Sequence, residues 1–312
     1  MGAGESAVRV HALVKTYAQR KAVDGLSFEV AAGETFALLG PNGAGKTTTT
    51  EILEGHRSRD GGQVAVLGVD PQRADRAWRA RIGIVLQSVG DFHDLTVLEV
   101  VRHFAGYFPD PRDPDEVIEL VGLTEQRKVR DAKLSGGQRR RLDVALGILG
   151  RPEVLFLDEP TTGFDPEARR QFWELIRALR TAGTTILLTT HYLDEAEQLA
   201  DRVAVINHGR LLALDTPDRL GGRDRAPSLI SWTDETGVER RLETTEPTKA
   251  LRELLARQPE GEEIRGLSVH QPTLEEIYLA MVDDEAGAAD VTDATVPTHP
   301  THPTHPTGEE TR

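Results

Sequence analysis

Phe36-Ala37-Leu38-Leu39-Gly40-Pro41-Asn42-Gly43-Ala44-Gly45-Lys46-Thr47-Thr48 sets an apolar run directly against the pattern G-x-x-x-x-G-K-T. The run predicts a buried strand, and Thr47 to Leu53 a helix behind it. The glycines between them let the backbone turn so tightly that successive N–H groups point at one anion, and the helix start near Gly45 adds its positive end. In such a loop Gly40 to Thr48 cradle phosphates, Lys46 reaches the β and γ positions and the Thr47 hydroxyl meets Mg²⁺. The flanking strand and helix weigh against an incidental glycine-rich turn.

The chain has 312 residues, a net charge of -14 and no cysteine. That length suits one large domain and a smaller one, and a cysteine-free chain has no disulfide framework and fits a reducing compartment. No apolar run reaches the roughly 18 residues needed to span a bilayer, and Met1 to Val10 has no signal pattern. The acidic balance disfavours nucleic acid and anionic lipid as partners. A cytoplasmic protein that meets the membrane only through a protein partner is expected.

Before the loop, Val8 to Leu13 and Leu26 to Val30 read as strands, with Tyr17 in their connection. A tyrosine there is either a half-buried cap or a platform for a ring. After the loop, Gly62 to Gly68 alternates as a strand, and Ile82 to Leu86 is an apolar strand ending at Gln87. Residues 88 to 150 turn helical, with Thr96 capping Val97 to Phe108, and a further helix from Pro114 to Leu120. The stretch ends in Leu134-Ser135-Gly136-Gly137-Gln138, a capped helix start that leaves bare N–H groups at its positive end. Arg139, Arg140 and Arg141 behind it read as a solvated basic face, or as part of an anion site.

Val154 to Leu157 form a buried strand that delivers Asp158 and Glu159 at its C-terminal end, where open α/β sheets bind ligands. Adjacent acids there call for a cation, with Asp158 holding Mg²⁺ through bound water and Glu159 facing the attacking water. Thr161 to Asp165 form a turn, and Pro166 starts a helix to about Leu179. Thr184 to Thr190 is a strand with His191 just past its end, Glu195 to Ala200 is helical, and Arg202 to Ile206 and Arg210 to Leu214 are strands. By itself His191 is as readily structural as catalytic.

In this order the phosphate loop, Gln87, Leu134 to Gln138, Asp158 with Glu159, Asp165 and His191 resemble the nucleotide-binding subunit of an ATP-binding-cassette (ABC) transporter, over about residues 7 to 222. Leu134 to Leu142, Thr161 to Asp165, Thr189 to Leu193 and Gln271 to Met281 look like the daunorubicin-exporter type of ATPase. The resemblance implies a P-loop α/β cassette with a mixed sheet core, and a homodimer that sandwiches ATP head to tail and powers a separate membrane permease. It implies that Tyr17 stacks on adenine, Gly40 to Thr48 hold phosphates, and Thr47 and Gln87 join Asp158 around Mg²⁺. Glu159 becomes the general base and His191 the γ-phosphate contact. Ser135, Gly136, Gly137 and Gln138 complete the other subunit's site, with Asp165 at the dimer seam.

The expected domains are a cassette over 1–222, with its helical part at about 88–150, and an accessory α+β domain over 223–283. The accessory domain has strands at Ser228 to Thr233, Val238 to Thr244 and Glu263 to His270, a helix at Thr248 to Leu255, and a Thr273/Glu276 capping box. Residues 284 to 312 read as a disordered acidic tail in which Pro-Thr-His recurs, placing His299, His302 and His305 on one edge of a polyproline helix. A soluble cassette acting on ribosomes or DNA would carry two cassettes or a long arm. A phosphotransferase would have no use for Leu134 to Gln138. Both fit less well than a transport motor whose cargo, drug, lipid or peptide, stays open.

Overall fold

The computed structural model describes residues 6–85, 92–257 and 263–282. Strand β3 (Thr35–Leu39) is buried along its whole length and is the hub of the fold. Its alternation sends Phe36 and Leu38 into one core and Ala37 and Leu39 into another, so both faces of the sheet are covered. The sheet has six strands in the order β5-β6-β7-β3-β8-β9, where β5 is Ile82–Val85, β6 Val154–Asp158, β7 Thr185–Thr190, β8 Arg202–Asn207 and β9 Arg210–Asp215. All neighbours run parallel except β8 and β9. The mixed sheet expected from sequence is therefore present.

The first core lies under a three-stranded antiparallel sheet, ordered β2-β1-β4, from β1 (Ser6–Tyr17), β2 (Arg20–Ala31) and β4 (Gly61–Val66). Phe28 of this sheet stacks on Phe36 with centroids 5.1 Å apart. Helix α1 (Lys46–Leu53) adds Ile52 and Leu53 to the same core, and the short α2 (Arg76–Arg79) adds Trp78, whose indole N–H donates to the Val66 carbonyl at 2.9 Å. On the opposite face pack α3 (Val97–Ala105), α4 (Pro114–Leu120), α5 (Gly136–Ile148), α6 (Pro166–Thr181) and α7 (Leu193–Leu199). The first three of these lie between β5 and β6 in the chain.

A third sheet, β11-β10-β12, is built from β10 (Ser228–Thr233), β11 (Glu239–Thr244) and β12 (Ser268–His270), with α8 (Pro247–Leu255) between β11 and β12 in the chain. A last helix, α9, covers 274–282 and is started by the expected capping box, Thr273 N–H donating to Glu276 Oε2 at 2.8 Å and Glu276 N–H to Thr273 Oγ1 at 3.2 Å. Helix α9 touches the third sheet, with the Glu276 carboxylate 2.9 Å from His270 Nε2 of β12, but it also joins the cassette. Leu274 is 1% exposed within the cassette core, and Tyr278 and Met281 pack against that core. Gly221 makes room for it: its φ is +60°, and a Cβ there would stand 2.5 Å from Ile277 Cγ2. No helix among the described residues is long and apolar enough to cross a membrane.

Two local readings are corrected. Tyr17 is not in a connection, because β1 and β2 pair as far as Tyr17 opposite Arg20 and leave only a two-residue turn between them. The strand expected from Glu263 shortens to Ser268–His270, the residues that pair in register with β10. The expected tail at 284–312 lies outside the described residues.

Candidate functional site

Three segments meet at the C-terminal ends of the parallel strands. The loop from Gly40 to Gly45 leaves β3 and enters α1, whose cap is Gly45 at φ 104° with no side chain on its first N–H groups and no acid in its first turn. A Cβ at Gly45 would come within 2.3 Å of the Ala22 carbonyl, so glycine is required there by the strand beneath. The uncapped N–H groups and helix dipole leave a positive cup. Beside it opens a cavity of about 490 Å³ lined by Tyr17, Arg20, Ala22, Asn42, Gly43, Gly45, Lys46, Thr47, Thr48 and Glu159. The size and the anion-seeking floor suit a nucleotide.

Lys46 is 4% exposed, its ammonium donating to the carbonyls of Gly40 at 2.8 Å and Pro41 at 3.2 Å. Burial pushes it below the ordinary lysine range, and the carboxylates of Glu159 and Asp158 pull it back. Ala44 is buried beneath the loop. Tyr17 is 39% exposed at the cavity rim, with the Arg57 guanidinium 5.3 Å and the Lys15 ammonium 5.6 Å from its ring centroid. A ring braced from beside the cavity can offer a face to a base.

Asp158, the last residue of β6, accepts from the Thr189 hydroxyl and stands 3.4 and 3.5 Å from Thr47 Oγ1. A hydroxyl and one carboxylate form an all-oxygen donor set, which suits Mg²⁺. Among the described residues no group of three His, Asp or Glu forms a metal cage, so a cation here would draw its other ligands from water and phosphate. Gln87 lies outside the described residues. Glu54, at the end of α1, is buried, and burial followed by the charges of Asp158 and Glu51 pushes it up to about 8. It is therefore protonated at neutral pH and adds no second charge beside Asp158.

Glu159 has φ 43°, in the left-handed region that costs a non-glycine residue of order 1–3 kcal/mol. Its N–H donates to the carbonyl and the hydroxyl of Thr189, both at 3.1 Å. The carboxylate sits 3.5 Å from Lys46 Nζ and 3.3 Å from His191 Nδ1. His191 thus joins the site through Glu159, and its ring lies 4.1 Å from that of Tyr192.

Other expected residues lie elsewhere. Asp165 caps α6, accepting from the Ala168 N–H at 2.8 Å. Ser135 caps α5 in a reciprocal box with Gln138, at 3.2 and 3.0 Å, and none of residues 135–138 lines the cavity. Gly136 and Gly137 occupy the first helical positions, yet a Cβ at Gly136 would meet nothing within 4 Å and one at Gly137 only the Ala168 methyl at 3.4 Å.

Besides Glu54, two buried groups were not singled out from sequence. Arg140 is 7% exposed and donates to main-chain carbonyls, so the basic run is not a uniform solvated face. Glu195 is fully buried beside the hydroxyls of Thr190 and Thr161, without strict hydrogen-bond geometry to either. Its one sequence signal is helical spacing, four residues before the buried Leu199. Burial pushes Glu195 up to about 7 from an ordinary 4.5, with the two threonines opposing the rise and Asp194 adding to it. Across that window the folded chain keeps a proton that the unfolded chain has released. Its stabilising effect is complete below 4.5 and is lost as pH rises through 7. Glu195→Gln should therefore gain on wild type in melting temperature as pH rises from about 5 to about 8, by roughly 2–4 °C. A pH-independent difference would contradict the assignment.

A family model described as ABC transporter matches residues 23–162. The daunorubicin resistance ATP-binding protein DrrA2 of Streptomyces coeruleorubidus is 38% identical over 304 residues, covering 88% of this chain and 94% of that protein. The chain belongs to the ABC transporter family. It is an ATP-binding subunit and an ATPase. The Nod factor export ATP-binding protein I of Paraburkholderia xenovorans (strain LB400) is 43% identical over 221 residues, 69% of this ATP-binding subunit and 73% of that one. A dimeric ATP-binding cassette in a post-hydrolysis state, bound to ADP and Pi, shares the fold at a TM-score of 0.60 and 21% identity, over 67% of this subunit and 98% of that chain.

Proposed function

We propose that the subunit is the motor of an exporter for drugs or other amphiphiles, two copies closing head to tail over two ATP molecules to drive a separate integral membrane permease. The observation that carries this reading is Gly136. A glycine in a helix's first turn forgoes about 1 kcal/mol of helix propensity, and here neither φ nor crowding within the chain calls for it. A surface without side chains, at the positive end of a helix that does not line its own cavity, suits close approach by an anion held on another copy. The dimeric neighbour and the export protein among the relatives point the same way.

In this reading Gly40 to Thr48 and Lys46 grip the phosphates, Tyr17 carries the base, and Thr47, Asp158 and Gln87 hold the cation. Mg²⁺, when bound, neutralises charge on the β- and γ-phosphoryl oxygens. Glu159 takes the proton from the attacking water, His191 steadies the γ-phosphate, and the partner's Ser135-to-Gln138 tip adds donors where charge grows. Asp165 sits at the seam. We place the boundary of the cassette near Gly222, with the accessory domain following it.

The permease would dock on a groove of about 640 Å³ lined by Arg76, Arg79, Ala80, Gly106, Tyr107 and Phe108. Tyr107 is 59% exposed and lies edge-on to Phe104, which meets Phe92 in the same way. Docked there, the subunit would sit on the inner face of the cell membrane. Tyr107→Glu should move a tagged subunit from the membrane fraction to the supernatant of its own cells, while leaving the ATPase of the purified chain within about twofold, because Tyr107 does not line the phosphate cavity. Unchanged membrane association would reject this docking face.

A further inference from the structure

Arg140 lies in the second turn of α5, five residues past Ser135, and its guanidinium is buried. Nε donates to the Pro160 carbonyl at 3.1 Å, Nη2 donates to the Asp158 carbonyl at 2.8 Å, and Nη1 stands 3.8 Å from Asp143 Oδ2. Those two carbonyls flank Glu159. One rigid fork therefore holds both ends of the left-handed kink that aims the Glu159 carboxylate. A buried cation is costly, and an apolar side chain would fill the space more cheaply, so packing alone does not account for Arg140.

The helix that carries Arg140 is also held from its other side. Asp131, 1% exposed, accepts from the Phe92 N–H at 3.3 Å, and its carboxylate stands 3.3 Å from Arg139 Nε, while Arg139 Nη2 donates to the Asp131 carbonyl at 3.0 Å. Phe92 belongs to the aromatic cluster beside the proposed docking groove. The tip of α5, the groove and the loop of Glu159 are thus joined through neighbouring arginines on one rigid element.

We propose that Arg140 is a positioning residue that transmits the engagement of its own helix tip to Glu159 of the same subunit, so that ATP held by one copy readies hydrolysis in the other. This rests on the head-to-tail reading above. Pulling the Ser135-to-Gln138 tip toward the partner's nucleotide moves the guanidinium, and with it the two carbonyls that orient Glu159. The two sites then fire cooperatively.

The test uses the full chain with Arg140→Met, which removes the donors at similar volume, and Arg140→Lys, which keeps a point charge able to reach one carbonyl. A misplacement of about 1 Å in a reacting group can cost up to about 10²-fold, so kcat should fall about tenfold or more in Arg140→Met. KM and the affinity for a fluorescent ATP analogue should stay within about twofold, with the Hill coefficient dropping to one and Arg140→Lys intermediate in kcat. Should Arg140→Met fail to fold, Arg140→Lys alone decides, through the same split between kcat and KM and the same loss of cooperativity. Retention of kcat and cooperativity by the folded variants overturns the proposal, and so does a fall in kcat matched by equal losses of binding and melting temperature. A wild-type chain without cooperativity, or Glu159→Gln at full activity, overturns the reading beneath it instead.

Discussion

Glu159→Gln is expected to leave ATP binding intact while slowing turnover by about 10²–10⁴, the usual range for loss of a positioned general base. The amide keeps the shape of the side chain and its contacts with Lys46 and His191, now 3.5 and 3.3 Å away, so the cavity should stay intact. What it loses is a carboxylate able to accept a proton from water. With hydrolysis stalled, the closed dimer should accumulate, visible as an ATP-dependent doubling of mass in light scattering. Turnover near wild type would remove Glu159 from the role of base, and stalled turnover without a dimer would separate catalysis from closure.

Ser135→Arg should abolish hydrolysis at one site of a mixed dimer and leave the other turning over, slowed by about the tenfold that the lost link through Arg140 costs, because a guanidinium at the helix tip occupies the place of the γ-phosphate and replaces a backbone donor array worth about 10²–10³ in rate. The two sites can be told apart by adding Glu159→Gln. If the tip serves the partner's nucleotide, placing both substitutions in one subunit silences both sites, whereas dividing them between the subunits leaves one site alive. If the tip served its own loop the outcomes would exchange. Differently tagged subunits purified in sequence provide both dimers, and the rate of phosphate release reads them.

The parts of the fold that sequence made legible are those whose residue types have few alternatives. Gly40 to Thr47 leaves a buried strand and enters a helix as expected, with Gly45 demanded by the Ala22 carbonyl. The strand into Asp158, the cap at Thr96 and the cap at Ser135 follow from burial and side-chain chemistry within a few residues. What escaped depends on distant segments. Tyr17 extends β1 because Arg20 and its neighbours pair with it across a tight turn, which the polar sequence there does not announce. Arg140 looks like its neighbours Arg139 and Arg141, and only the approach of α5 to the Asp158 and Pro160 carbonyls buries it. Glu195 and Glu54 are buried, and beyond the helical spacing of Glu195 nothing in the sequence around them marks either as such. Helix α9 joins the cassette core through Leu274, a long-range contact that local spacing does not reveal.

The cysteine-free chain permits a direct measurement of head-to-tail closure. Ala132→Cys lies on the exposed surface three residues before the helix tip and leaves Gly136 bare, and Asn42→Cys lies on the exposed rim of the phosphate loop. Each is placed in a separate, differently tagged subunit carrying Glu159→Gln, and the mixture is treated with a short thiol-to-thiol cross-linker. Two copies that close over shared nucleotides give a covalent heterodimer with ATP and Mg²⁺, and almost none without. Absence of that product under conditions where both thiols react singly would contradict the closure on which the account depends.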